Sequence, residues 1–406
     1  MRFTLILSFL LLTQFATAQQ LETASIKKNV EWLASDLRKG RGTGTPEEKA
    51  AAKYIAKHFK KSGLQPKGDK GTYFHQFGFK QQDPHGGEIA NAPNIYSQNV
   101  AGYIDNGAEY TIVIGAHYDH LGMGDESSMD RSKLGQIHNG ADDNASGTAA
   151  VMELAHYFAK NGIKEKHNFL FLAFSAEEKG LIGSKRFTEY PTIDLTKVSF
   201  MINLDMVGRL SQEKKLVVGG VGTAPDFVPL FNELRGDFTV KLDSAGVGPS
   251  DHTSFYLKNI PVLFCFTGQH TDYHKPSDDA EKVNFEGIRQ ISDLLVRAIQ
   301  RLDNTPKLTF QETKVKESEK ISFKVTLGIM PDYAYEGEGV HIDNVTPERP
   351  AANAGIQKDD IIIGMGDMPV KTIQDYMKGL SKFKKGESTT VKVKRGDKEI
   401  SLPVTF

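Results

Sequence analysis

FLFLAFSAEEKGLIGS, residues 169–184, sets an unbroken apolar run against two adjacent acids, Glu177 and Glu178. The run Phe169–Phe174 shows no polar alternation. It therefore reads as a strand buried on both faces, the kind found in a parallel sheet covered by helices. The acids that follow allow two readings. In the first turn of a helix they would face the positive end of the macrodipole, a gain of under about 1 kcal/mol. Alternatively they belong to a site, because neighbouring carboxylates repel and are costly to bury unless a cation compensates them. Ligands elsewhere in the chain decide between the two.

Working outward, apolar runs and helical periodicities alternate. ASIKKNVEWLASDL and EEKAAAKYIAKHFKKSGL repeat apolar residues at helical spacing, with the glycine-rich RKGRGTGTP between them and Gly63 closing the second. TIVIGAH, FLFLAFS, VSFMINLD and IPVLFCFTG are short apolar runs. NASGTAAVMELAHYFAK, GLIGSKRFTEY and EGIRQISDLLVRAIQRL are helical. This order predicts an α/β fold: a mixed, mainly parallel sheet with helices on both faces. After Asp303 the composition turns polar, and short strands such as TTVKVKRG and KEISLPVTF follow. The expected division is a leader over 1–18, a catalytic-sized domain over 19–302, a linker over 303–320 and a small β-rich domain over 321–406.

Bulk properties narrow the function. Lys plus Arg is 50 against 51 for Asp plus Glu, a net charge of -1, which gives no footing for nucleic acid or an anionic membrane. Arg2, the apolar Phe3–Leu12 and the small-x-small Ala16-Thr17-Ala18 form an export leader too short to span a bilayer. The expectation is an exported protein, periplasmic or secreted, with no membrane partner after cleavage. The lone Cys265 cannot form an internal disulfide, and its apolar neighbours suit a buried hydrophobe rather than a nucleophile.

Four of the apolar runs end in metal-ligand residue types. TIVIGAHYDH delivers His117 and Asp119, FLFLAFSAEE delivers Glu177 and Glu178, VSFMINLDM delivers Asp205, and IPVLFCFTG leads into QHTDYHKPSDD with His270 and His274. Ligands in open α/β sheets bind beyond the carboxyl ends of the strands. NGADDNASG adds Asp142, Asp143 and Asn144 before a helix, where helix capping is the competing reading.

HYDHLG, NGADDNASG, SAEEKGLIGS, NLDMVGR and YHKPSDD, in that order, resemble peptidase family M28, the two-zinc aminopeptidases. LASDLRKGRGTGTPEEKAAAKYIAKHF also resembles the opening of bacterial members. The resemblance covers Leu21 to Leu302 and implies a zinc-peptidase, phosphorylase/hydrolase-like sheet. It implies two Zn²⁺ per chain, with His117 and Asp205 on one, Glu178 and His274 on the other, and Asp143 bridging. In this family the Asp143–Asn144 peptide is often cis. It implies Glu177 as the general base, which takes a proton from the attacking water and passes it to the leaving amine. Tyr273 is expected near the oxyanion, against a plain pocket-wall role, and Met206 in the S1 pocket, against a core role. The substrates implied are peptides with a free N-terminus.

The donor chemistry agrees. Zinc takes His nitrogen and carboxylate oxygen, and paired metals need a bridging ligand. His117 and Asp119 lie two apart on an extended segment, so their side chains share a side. Asp119 can then accept the second imidazole N–H of His117, with a solvated loop acid as the alternative. His120, His138, His252 and His270 have no ligand role in the family pattern and read as lining or supporting residues. SDHTSF, Ser250 to Phe255, resembles a pocket-shaping segment. Rival readings are a one-zinc glutaminyl cyclase, a carboxypeptidase or dipeptidase using Arg209 as carboxylate clamp, and an inactive adaptor that binds through its C-terminal unit.

VTLGIMP and GVHIDNVTPERPAANAGIQKDDIIIGMGD resemble a PDZ domain of bacterial proteases. The resemblance puts the carboxylate-binding loop at Leu327–Met330, able to capture a peptide C-terminus. Asp359 stands where glycine is common, and Gly366-Asp367 replaces an Asn-Gly turn. A unit that only packs on the catalytic domain is the alternative.

Overall fold

The computed structural model describes residues 20–80, 92–125, 127–313, 325–331, 335 and 337–406. The expected leader, residues 1–18, lies outside these, as do linker residues 314–320 and the first residues of the C-terminal unit, 321–324. Among the described residues no helix is long and apolar enough to cross a membrane.

The N-terminal helices form where the periodicity places them. α1 spans Thr23–Leu33 and α2 spans Pro46–Ser62. Thr45 caps α2 by accepting the Glu48 N–H, Pro46 occupies its first turn, and Gly63 ends it in the left-handed region at φ 96°. The large sheet contains β1 (Gln65–Pro66), β2 (Phe74–Lys80), β3 (Asn94–Ile104), β4 (Thr111–His117), β5 (Asn168–Phe174), β6 (Val198–Leu204), β7 (Lys215–Gly219), β8 (Thr239–Leu242) and β9 (Val262–Phe266). Its order is β1-β3-β5-β4-β6-β9-β7-β8, with β2 along β3. β5, β4, β6 and β9 run parallel, and β3 and β7 pair antiparallel to β5 and β9.

Both faces of the central strands are covered. Phe169, Phe171 and Ala173 pack with α1, α2, α3 (Gly147–Lys160), α5 (Phe227–Leu234) and α7 (Phe285–Leu302). The alternate residues Leu170, Leu172 and Phe174 pack with Phe187 of α4 (Ile182–Glu189) and Phe255 of α6 (His252–Tyr256). The period of two along a fully apolar strand thus feeds two separate cores. β3, β7 and β8 carry mixed polarity, and the sequence pattern did not mark them.

The stretch after α7 departs from a free linker. Leu308 is buried in the larger core, and Phe310 lies 5.4 Å from the Tyr256 ring. Thr313 donates its N–H to Tyr256 Oη and accepts the Gly246 N–H, both at 3.1 Å. Residues 308–313 therefore pack as part of the larger, N-terminal body.

The C-terminal unit is a second sheet: β10 (Ile329–Pro331), β11 (Val340–Val345), β12 (Ile361–Met365), β13 (Met368–Pro369), β14 (Ser388–Arg395) and β15 (Lys398–Thr405). α8 (Pro350–Asn353) and α9 (Ile373–Leu380) accompany it, α9 starting at a capping box of Thr372 and Asp375. Its own core includes Leu327, Ile342, Ile362, Val391 and Val393. Arg395 holds buried Asp360 through two bonds of 2.7 Å. Asp359 does adopt a left-handed conformation, φ 67°.

Candidate metal centre

The carboxyl ends of β4, β5 and β6 deliver His117, Glu177–Glu178 and Asp205 to one edge of the sheet. The segment Ala141–Ser146 brings Asp143, and the loop after β9 brings His274. The Asp143–Asn144 peptide is cis. Gly140 opens this segment at φ 56°, and a Cβ there would sit 2.2 Å from the Asp143 carbonyl oxygen, so a side chain has no room. Asn144 Oδ1 accepts the Gly147 N–H at 2.9 Å, although the N-cap of α3 is Ser146, which makes no side-chain cap.

Asp143 lies between two donor pairs. Its Oδ1 is 3.3 Å from His117 Nε2, which is also 3.3 Å from Asp205 Oδ1. Its Oδ2 is 3.2 Å from His274 Nε2, itself 3.2 Å from Glu178 Oε2. Ligands on a tetrahedral ion with bonds of about 2.0–2.1 Å stand about 3.3–3.4 Å apart. The donor spacings therefore fit zinc.

The tautomers fit as well. His117 Nδ1 faces the Asp119 main-chain carbonyl at 3.2 Å, and His274 Nδ1 faces the Ser127 carbonyl at 2.9 Å. With Nδ1–H donated outward, each Nε2 keeps its lone pair for the centre. The Asp119 carboxylate is not the close partner of His117, lying 3.8 Å away. Instead it accepts from Thr43 Oγ1 at 2.8 Å and from the Glu177 N–H at 3.2 Å, so it fixes the backbone of Glu177.

The two adjacent glutamates are driven apart electrostatically. Burial lifts the Glu177 carboxyl well above the usual range; His117 opposes this, while Glu178 and Asp205 add to it. Burial also acts to raise Glu178, but the charge of His274 and hydrogen bonds from His120 and His274 prevail and hold it well below the usual range. Neither glutamate lies in a helix, so capping does not explain them.

Two residues beyond the expected five come within ligand reach. Glu177 groups with His117 and Asp205, and His120 groups with Asp143 and Glu178, donor atoms lying within 4.8 Å. His120 Nδ1 stands 2.8 Å from Glu178 Oε1, so it supports the oxygen that His274 does not face. Its only signal in the sequence was its place three residues after His117. Around Asp205, Ser250 Oγ–H donates to Oδ2 at 2.8 Å and receives Asn203 Nδ2 at 2.7 Å. The neighbouring Asp251 is fully buried and pushed up to about 7 by burial, against the pull of His117.

A cavity of about 180 Å³ opens beside these groups. Met206, Val217, Phe264 and Phe266 give it an apolar wall, and His252, stacked on Phe264 at 4.6 Å, lines it too. Met206 is both buried and pocket-lining. Tyr273 lines the cavity with its ring 3.8 Å from that of His274. His270 is apart from the ligands, its Nε2 3.1 Å from Asp142 Oδ2, and His138 contacts Ser128 Oγ at 2.8 Å. Arg209 is committed to Asp278 at 3.0 Å and Asp272 at 3.4 Å.

Residues 99–299 match the description of peptidase family M28, and residues 309–406 match the PDZ domain. The chain carries a domain of peptidase family M28. Aminopeptidase YwaD of Bacillus subtilis is 29% identical over 195 residues, covering 44% of this chain and 42% of that protein. The chain thus spans less than half the length of this curated relative. A Zn-dependent exopeptidase from Parabacteroides distasonis shares the fold with a TM-score of 0.57 at 17% identity, over 70% of this chain and 99% of that one. The glutaminyl cyclase of Bacteroides thetaiotaomicron also has a TM-score of 0.57, at 18% identity, over 70% and 99%. The M28 domain and the PDZ domain are those anticipated from the motifs.

Proposed function

We propose that the chain is an exported aminopeptidase that hydrolyses the first peptide bond of peptides with a free N-terminus, using two zinc ions. The observation that supports it is the division of the Asp143 carboxylate between the His117–Asp205 pair and the His274–Glu178 pair. These five residues would hold the metals. The chemistry two zinc ions supply there is Lewis-acid activation of water and of the scissile carbonyl.

The chain's own groups carry the remaining steps. Glu177, buried beside His117 and Asp205, takes the proton of the attacking water on its carboxylate and delivers it to the leaving amine. Asp119 holds the Glu177 main chain while this happens. Tyr273 donates its O–H to the developing oxyanion. The apolar cavity takes the first side chain of the substrate; cavities of about 150 Å³ are large enough for benzene, so one apolar side chain fits. Export is supported by the leader-like residues 1–18. Capture of a peptide C-terminus by the PDZ domain is supported by Gly328, which precedes β10 at φ 75°.

A glutaminyl cyclase would need only one metal, which leaves the sharing of Asp143 without a purpose. A carboxypeptidase clamp is disfavoured by the engagement of Arg209 with two aspartates. The test is hydrolysis of aminoacyl-p-nitroanilides with and without N-acetyl blocking, with zinc counted per chain. Cleavage of unblocked substrates alone with two zincs supports the proposal. Equal cleavage of blocked substrates, or a single zinc, overturns it.

A further inference from the structure

Arg41 lies in the glycine-rich segment between α1 and α2, where sequence periodicity marks only a break. Its side chain is completely buried. A buried guanidinium ordinarily meets a carboxylate. This one instead donates to four main-chain carbonyls. Nε bonds to Tyr118 at 2.7 Å, Nη1 to Leu33 and Asn139 at 2.7 Å each, and Nη2 to Gly140 at 2.9 Å. Among the described residues it makes no salt bridge.

The four carbonyls are not scattered. Tyr118 stands between the ligand His117 and Asp119, which holds Glu177. Asn139 and Gly140 lead directly into the segment carrying Asp143. Leu33 is the last residue of α1 and anchors both loops to the helical core. The surrounding backbone repeats the attachment: His120 N–H reaches the Arg41 carbonyl at 3.3 Å, Gly122 N–H reaches the Gly40 carbonyl at 3.1 Å, and Thr43 reaches Asp119. The two ends of the long β4–α3 connection, which carry the neighbouring His117 and Asp143, are thus joined through one side chain.

We propose that Arg41 is a positioning residue for the metal centre: its guanidinium clamps the two ends of the β4–α3 connection and so sets the separation of His117 and Asp143. The choice of carbonyls matters chemically. A guanidinium pairing directly with Asp143 or Glu178 would occupy the lone pairs that a metal must take. Bonded to carbonyls, Arg41 leaves those oxygens available, while its charge still interacts with Asp119, Asp143, Asp278 and Glu178. Lysine retains the charge but has three donors radiating from one atom, so it cannot span the four carbonyls that a planar fork reaches.

The inference rests on the two-zinc reading above, and the experiment separates the two. Full-length parent, R41K, R41Q and the core control F158L are compared for thermal midpoint and for zinc affinity by chelator competition. kcat and KM are measured on an unblocked aminoacyl-p-nitroanilide, well below every midpoint. A parent that binds no zinc refutes the two-zinc reading itself. With a zinc-binding parent, R41K is expected to lose at least tenfold in zinc affinity and tenfold in kcat, with KM within threefold. F158L, though destabilised, is expected to keep both within twofold. R41K with affinity and kcat within twofold of the parent overturns the inference, as does an equal loss in F158L. R41Q carries the same test if R41K does not fold. Failure of both to fold with zinc present assigns Arg41 to the fold as a whole and also overturns it.

Discussion

Glu48 offers a test of the buried polar framework that needs no substrate. It sits on α2 with its carboxyl fully buried. Oε1 meets the hydroxyls of Ser97 and Ser175, with Tyr118 Oη at 3.2 Å, and Oε2 accepts the Gly44 N–H at 2.8 Å. Burial pushes this carboxyl from 4.5 up to about 7; the serine hydroxyls resist the rise and Asp119 adds to it. A rise of that size is worth about 3 kcal/mol. Because the folded carboxyl keeps its proton longer than the unfolded one, its contribution is complete below pH 4.5. It is lost as pH climbs to about 7. Glu48→Gln removes the titration. The amide can turn its carbonyl oxygen to the Gly44 N–H and its NH2 to the hydroxyls of Ser97, Ser175 and Tyr118, which accept by rotating. The variant should therefore gain on the parent by about 3 kcal/mol between pH 4.5 and pH 8. In a protein this size that is a relative shift in midpoint of roughly 6–9 °C. Thermal unfolding by circular dichroism of both proteins across this pH range measures the gain, and zinc-ligand titration, common to both, cancels. A difference between parent and variant that stays constant with pH would refute the reasoning.

Three further outcomes are expected. Glu177→Gln should keep both zincs and lose about 10²–10⁴ in kcat, the range of a general base, as read by steady-state kinetics beside metal analysis. Asp143→Ala should lose zinc from both halves of the centre, so that added zinc no longer raises the thermal midpoint as it does for the parent. A chain ended after Leu302 should be less stable by roughly 2–5 kcal/mol than one ended after Thr313. It lacks buried Leu308 and the Phe310–Tyr256 contact, and denaturant unfolding of the two compares them.

Much of the molecule was legible because its signals are local. Phe169–Phe174 carries no polar residue, so its double burial could be read directly. The ligand types follow strand ends, where the topology of a parallel sheet collects them. Other features depend on contacts remote in sequence. β3 changes character along its length, polar at Ser97–Asn99 where it pairs with β2 and buried from Val100 where it pairs with β5, so no single period marks it. The Asp119 carboxylate turned from His117 to the Glu177 N–H because the main-chain carbonyl had already taken the imidazole proton. His120 drew no ligand role in the sequence, since nothing local shows that Glu178 turns one oxygen toward it. Residues 308–313 looked like linker from composition, yet partners remote in sequence tie them down: Ser199 accepts the Leu308 N–H, the Thr223 carbonyl accepts the Gln311 N–H, and Thr313 bonds with Tyr256 and Gly246.

The carbonyl bonds of Arg41 also bear on how the chain tolerates change. Every acceptor is a main-chain atom, so exchanging the side chains of Leu33 or Asn139 leaves the oxygen in place. The dependency runs one way: position 41 needs its fork, whereas most of its partners are held by backbone path rather than residue identity. A library randomised at these positions should accept apolar replacements at 33, which is buried in the core, and almost none at 41, with Asn139 held by its own bonds to Asp36 and Asp279 and Gly140 restricted separately by its left-handed turn. The robustness of the centre is thus concentrated in a single codon.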